Sequence, residues 1–241
     1  EFIGMTGLPF CNTQMGKGVV DESSSYFLGT AALSDKDYLH DYIKIADLIV
    51  NIGHDVIEKP PFFMEHGGAE VIHINYKSAQ VDQVYFPQIE VVGDIALSVD
   101  ALADALGSRL DIDLEDFEKV RDNVKGKIFP LDEEPVFPMR PQNIVSAIRN
   151  LMGYHDIIAL DNGVYKIWFA RNYLAFQPNT ILLDNALATM GAGLPSAMLA
   201  AMIHPNRKVM SICGDGGFMM NSQEIETAVR LNLNFVVLIL N

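Results

Sequence analysis

Short, mainly apolar runs, each closed by a glycine or a small polar residue, decide most of what this chain can become. Residues 47–52 run into Gly53, 90–92 into Gly93, 156–161 into Asn162-Gly163, 208–213 into Gly214 and 235–240 into Asn241. Residues 70–75 form a further run. Apolar runs that do not alternate with polar residues are buried on both faces, the mark of strands in a parallel sheet. Two shorter strands are expected at 8–12 and 180–183. Helical spacing lies between the runs, at 37–45, 98–106, 142–150, 165–174, 196–203 and 223–231. In 142–150, Ile144 and Ile148 share one face with Leu151. The small-residue stretch 196–203 must pack closely on its neighbour. The alternation predicts an α/β protein with two doubly wound parallel-sheet domains, the first carrying four strands.

Residues 110–138 differ in character. They are charged, broken by Pro130, Pro135 and Pro138, and contain Asp132-Glu133-Glu134. We read them as a linker with a helix over 114–124, between a first domain at 1–109 and a second at 139–241. The chain has 241 residues, 49% of them apolar, enough for two packed cores. Its formal net charge is −14, which argues against nucleic acid or an anionic membrane as partner. A phosphate ligand would then need local devices: backbone N–H groups, a helix start or a metal ion. Cys11 and Cys213 flank or end apolar runs and read as buried, reduced thiols of a cytoplasmic protein. Both ends read as cut: 1–3 as the tail of a helix, and 235–240 as a buried strand whose ligand loop should follow.

The strongest local signal is Gly214-Asp215-Gly216-Gly217, where a buried strand runs straight into a glycine turn and then a helix. The glycines let backbone N–H groups approach an oxyanion. Asp215 offers a hard oxygen to Mg²⁺, without which it would repel a phosphate. A tight turn alone would explain the same residues. One helix and one buried strand separate Asp215 from Asn241, so a βαβ unit would place both at one sheet edge.

Here the chain resembles the thiamine-diphosphate-dependent enzymes, and among them acetolactate synthase. Those enzymes carry Gly-Asp-Gly, then 24–27 residues, then Asn followed by Asn or Asp. This sequence has Gly214-Asp215-Gly216, the 24 residues 217–240, then Asn241. Phe218, Gln223-Glu224 and Glu226-Thr227-Ala228 match the acetolactate synthase version. The resemblance implies Asp215 as a Mg²⁺ ligand, with the next ligand at a position after Asn241. It implies diphosphate contacts from Gly214, Gly216, Gly217 and Asn241. Ala188-Thr189-Met190-Gly191-Ala192-Gly193-Leu194-Pro195 is similar to the segment that bends the cofactor. By position Met190 supports the V shape, a catalytic role, and the Ala188 carbonyl accepts from the 4′-amino group, where the family often has Gly. The plain alternative makes Met190 core filler. Asp161-Asn162-Gly163-Val164-Tyr165 resembles the loop at the diphosphate end. Gly163 would donate its N–H there, while Val164 and Tyr165 replace the family's polar residue and His.

The first region is similar to the central domain of the same enzymes, at Thr13–Gly18, Ala46–Ile49, Val71–Ile74 and Val91–Asp94. The fold implied is thus a central Rossmann-like domain plus a partial thiamine-diphosphate-binding domain. The implied activity condenses two pyruvates to 2-acetolactate with loss of CO₂, on thiamine diphosphate and Mg²⁺, in a homodimer or tetramer. The general base, a Glu of an N-terminal domain of another subunit, has no counterpart here, so these residues alone are expected to be inactive. FAD is left open, leaning against. Its binders continue the third strand with Arg–Phe–Asp, where this chain reads Gly53-His54-Asp55-Val56-Ile57-Glu58. His54 is either a ligand contact or a structural histidine, and Lys17 either meets an anion or is a solvated loop lysine. Rival readings are another 2-keto acid decarboxylase or carboligase, or a non-catalytic Rossmann-like module. The latter lacks a G-x-G-x-x-G at the right place.

Overall fold

A computed structural model describes residues 1–31, 37–54, 64–81, 83–107, 110–129 and 137–241. Contacts divide it into two compact units, Glu1–Cys11 with Ser25–Val124, and Asn12–Ser24 with Lys125–Asn241.

The first unit opens with helix α1 (Phe2–Thr6), then strands β1 (Phe10–Thr13) and β2 (Phe27–Ala31). A short helix α2 (His40–Ile43) leads to β3 (Leu48–Ile52), β4 (Glu70–Asn75) and β5 (Ile89–Val92). Helices α3 (Ile95–Leu106) and α4 (Glu115–Ile128) follow, α4 running across the division between the units. The order β3-β4-β5 is all parallel, with Ile49 opposite Val71 and Ile74 opposite Val91. The four-strand expectation needs correction, since β1 pairs with β2 in a separate two-stranded sheet. Asp94 caps α3 by accepting the Leu97 N–H at 2.9 Å, and Gly107 ends it in the left-handed region. Cys11 is exposed rather than buried; Cys213 is buried as expected.

The second unit carries α5 (Pro141–Leu151), β6 (Ile157–Leu160), α6 (Tyr165–Asn172), β7 (Ile181–Leu182), α7 (Gly193–Ile203), β8 (Val209–Gly214), α8 (Asp215–Asn221), α9 (Glu224–Arg230) and β9 (Val236–Leu240). Pro141 starts α5, where its fixed φ suits a first helical position and its missing N–H costs nothing. The sheet order is β7-β6-β8-β9, all parallel. β6 is buried on both faces. Ile158 and Leu160 pack with Val145, Ile148, Phe169 and Tyr173 of the α5–α6 layer. Ile157 and Ala159 meet Ala197, Ala200 and Ala201 of α7, the close packing that its small residues predict. Helices on both faces make the sheet doubly wound.

Residues 12–24 pack with the second unit through Glu22. This buried carboxylate accepts from Asn12 Nδ2 at 2.8 Å, Gly18 N at 3.2 Å and Ala175 N at 2.8 Å. Lys17 Nζ lies 2.8 Å from it, so Lys17 is a buried partner of Glu22 rather than a solvated loop lysine. Burial lowers the Lys17 pKa, and the Glu22 carboxylate opposes that shift.

Among the described residues, no helix is long and apolar enough to cross a membrane. The linker residues 130–136, and Asp55 to Glu58 of the stretch bearing on FAD, lie outside the described residues.

Candidate functional site

The second sheet reverses direction at β6. From β6 the chain passes through α6 to β7 on one side, then returns across β6 through α7 to β8. In open α/β sheets, ligands bind at the carboxyl ends of strands where this switch occurs. All four strands end at that edge, and the residues just beyond each were singled out by sequence. Gly163 follows β6, Ala188 and Met190 follow β7, Asp215 follows β8 and Asn241 follows β9.

The register makes the central pair concrete. Gly214 is the partner of Leu240 on parallel strands, so Asp215 and Asn241 are the next residues on the same edge. Both are exposed, as is Gly216. Asp215 is not in a loop, because it opens helix α8. The first N–H groups of a helix have no helical acceptor, and no side chain caps α8. The Met190 side chain reaches this turn: its Cε lies 3.7 Å from where a Cβ on Gly216 would stand. Met190 is 48% exposed, which argues against a role as core filler.

Ala188 has φ 46°, a left-handed conformation that favours glycine. Non-glycine residues persist there when the surroundings over-determine them. The surroundings do so through a residue that sequence reasoning undervalued. Asp161, fully buried at the end of β6, accepts the Gly191 N–H at 2.8 Å through Oδ1 and 3.0 Å through Oδ2. It also accepts the Asn162 N–H at 2.7 Å. Asn162 Nδ2 donates to the Thr189 carbonyl at 2.9 Å, and Asn221 Nδ2 to the Gly191 carbonyl at 2.7 Å. Gly217 is pressed against this carboxylate, and a Cβ there would collide with Asp161 Oδ2. Gly217 therefore serves packing, whatever its N–H does. The signal for Asp161 was an acidic residue just past a fully apolar strand, as Asp215 is just past Gly214 of β8.

Tyr165 stands between two of the glycine turns. Its Cε1 lies 3.1 Å from the Cβ position of Gly214, and its ring also fills the side of Gly163. Burial raises its pKa to about 12, the Gly214 backbone partly opposing. Its buried hydroxyl makes no well-formed hydrogen bond in the protein.

Among the described residues, no group of three or more His, Cys, Asp or Glu could hold a metal ion. A metal at Asp215 would therefore draw oxygens from phosphate, amide or water, as Mg²⁺ commonly does. A surface hollow of about 350 Å³, lined by Ala201, Met202, Pro205 and Leu231 to Asn234, lies where the chain enters β9, at the opposite edge. It is too far along the strand to share this chemistry.

His54, in the first unit, packs its ring at a tilt against Tyr85 with centroids 5.0 Å apart, and its carbonyl accepts from Asn75 Nδ2 at 2.9 Å. The same tyrosine bonds His73 Nδ1 at 2.7 Å, and His73 is buried. Both histidines thus have packing roles.

Comparison with known proteins decides what these features belong to. Residues 161–241 match the thiamine pyrophosphate enzyme C-terminal TPP binding domain, and residues 1–102 the thiamine pyrophosphate enzyme central domain. The chain belongs to the thiamine pyrophosphate enzymes. It is 34% identical to a catabolic acetolactate synthase of Raoultella terrigena over 232 residues, 93% of this chain and 41% of that protein. It is 32% identical to an acetolactate synthase of Bacillus subtilis over 244 residues, covering 97% of this chain and 42% of the relative. A probable acetolactate synthase large subunit of Methanococcus aeolicus is 28% identical, over 99% of this chain and 43% of its own length. The chain thus spans about two fifths of the length of the curated relatives it matches. As a thiamine pyrophosphate enzyme, it has its C-terminal domain match beginning at Asp161, the residue that holds the site's loops together.

Proposed function

We propose that the protein is a thiamine-diphosphate- and Mg²⁺-dependent acetolactate synthase, which joins two pyruvates into 2-acetolactate with loss of CO₂. The observation that carries this is the register of β8 and β9, which sets Asp215 and Asn241 side by side at one sheet edge, with Met190 Cε 3.7 Å from the Cβ position of Gly216. The proposal takes residues 1–109 as the central domain, 110–138 as the linker and 139–241 as the diphosphate side. A homodimer or tetramer in the cytoplasm belongs to the same reading, which leaves FAD open.

When bound, thiamine diphosphate supplies the electron sink for decarboxylation and carbon–carbon bond formation. The chain's residues bind and orient. Asp215 offers a carboxylate oxygen to Mg²⁺, and Asn241 adds an amide beside it. Backbone N–H groups of Gly163, Gly214, Gly216 and Gly217 would hold the diphosphate, offsetting the net charge of −14. Met190 supports the bend between the rings, and the Ala188 carbonyl accepts from the amino group. Acceleration from such groups is preorganisation: they are already placed when charge develops.

The test is product analysis of the full protein with thiamine diphosphate, Mg²⁺ and pyruvate. The reading expects 2-acetolactate and CO₂. Turnover of a different 2-keto acid in preference to pyruvate would overturn the acetolactate assignment and keep the cofactor. The 241 residues by themselves should not turn pyruvate over, since none of them matches the family's general base.

A further inference from the structure

We propose that Lys166 is a positioning residue for the segment 184–190, which carries the Ala188 carbonyl and Met190. The inference rests on the thiamine diphosphate reading for its consequence, but the clamp itself stands on geometry. Lysine is seldom as buried as Lys166, which is 7% exposed. A buried ammonium must find hydrogen-bond acceptors or give up its charge. Lys166 Nζ donates to Asn162 Oδ1 at 2.7 Å, to Asn185 Oδ1 at 2.5 Å and to the Asp184 carbonyl. Its partners lie on the loops that follow β6 and β7, so one side chain of α6 ties two site loops together.

The tie matters because 184–190 has no ladder of its own. β7 is two residues long and ends at Leu182. Beyond it the backbone is irregular up to α7. Asp184 accepts the Ala186 N–H at 3.0 Å and the Thr189 N–H at 3.4 Å, closing a small loop on its own carboxylate. Asn162, already held by Lys166, donates to the Thr189 carbonyl at 2.9 Å. Lys166 thus fixes the start of the segment directly and its end through Asn162. Between these points sits Ala188 at φ 46°. The clamp is what keeps that strained carbonyl aimed in one direction.

Two variants separate positioning from mere folding. Lys166→Met keeps the stem and removes the donors; Lys166→Gln restores an N–H donor on a stem one bond shorter. Hydrogen exchange is followed in the cofactor-free protein, and thiamine diphosphate affinity is measured with Mg²⁺ present. Lys166→Met should speed exchange across 186–191 and weaken the cofactor by about tenfold, the scale of a lost charged hydrogen bond. β6 and β8 should exchange as before, and Lys166→Gln should recover most of both effects. Unchanged exchange across 186–191 in Lys166→Met overturns the clamp. So does acceleration shared equally by β6 and β8 that Lys166→Gln does not reverse. If the segment loosens as expected while the unaltered protein binds no thiamine diphosphate, the clamp stands and the cofactor reading falls.

Discussion

One buried carboxylate organises the site. Asp161 receives N–H groups from its own loop and from Gly191, thirty positions away, and leaves no room beside Gly217 for a Cβ. Gly217→Ala should therefore lower stability by about 1–3 kcal/mol, the usual cost of overpacking a fixed core. In thermal unfolding that is a fall of roughly 2–4 °C per kcal/mol for a chain of this size. An unchanged midpoint would mean that Asp161 moves aside freely, against the hydrogen bonds that hold it. Asp215 was legible because a glycine turn at the end of an apolar strand is a local pattern. Asp161 carries the same strand-end signal, but its main partner is remote, and no spacing rule links residue 161 to residue 191. The role of Lys166 was hidden for the same reason: its acceptors are fixed by how two loops meet.

Elements that consist of continuous apolar runs could be read directly, and β3, β4, β6, β8 and β9 lie where the runs are. β2 escaped because Gly29, at φ 148°, interrupts its pattern and reads as a breaker. α8 was read as turn followed by helix because of its glycines, yet the helix begins at Asp215 itself. The Asn12–Ser24 segment was the least legible. Its anchor is Glu22, which joins Lys17 to the Ala175 backbone across a long sequence gap. Glu22→Gln would leave the Lys17 ammonium buried without its charge partner, a loss of about 3–5 kcal/mol. The combined Lys17→Met, Glu22→Gln chain should regain part of that in denaturant unfolding, because the stranded charge is gone. Additive losses in the double variant would show that the two side chains act independently.

At the scale of the whole molecule, composition and alternation gave the α/β class, but not the strand order β7-β6-β8-β9. That order follows from which face each crossover helix covers, and it creates the switch point where the loops converge. Burial of aromatic hydroxyls gives the second unit an alkaline limit. Tyr165 and Tyr173 are both raised from 10.0 to about 12, mainly by desolvation. Because the folded values lie above the unfolded ones, this stabilisation is complete below pH 10 and is lost as pH rises through about 12. A phenolate absorbance titration should show these two groups ionising late, together with unfolding. Ionisation of all 8 tyrosines near pH 10 with the fold intact would contradict the burial. The molecule is also acidic overall, with a net charge of −14, so a diphosphate should not approach Asp215 without a cation. The decisive measurement is a calorimetric titration of thiamine diphosphate into the protein, with and without Mg²⁺, beside an Asp215→Ala variant of matching circular dichroism. Binding that requires Mg²⁺ and weakens by about tenfold or more in the variant is the expected result, each tenfold being about 1.4 kcal/mol. Equal affinity without the metal, or in the variant, would contradict a metal-held diphosphate at this edge.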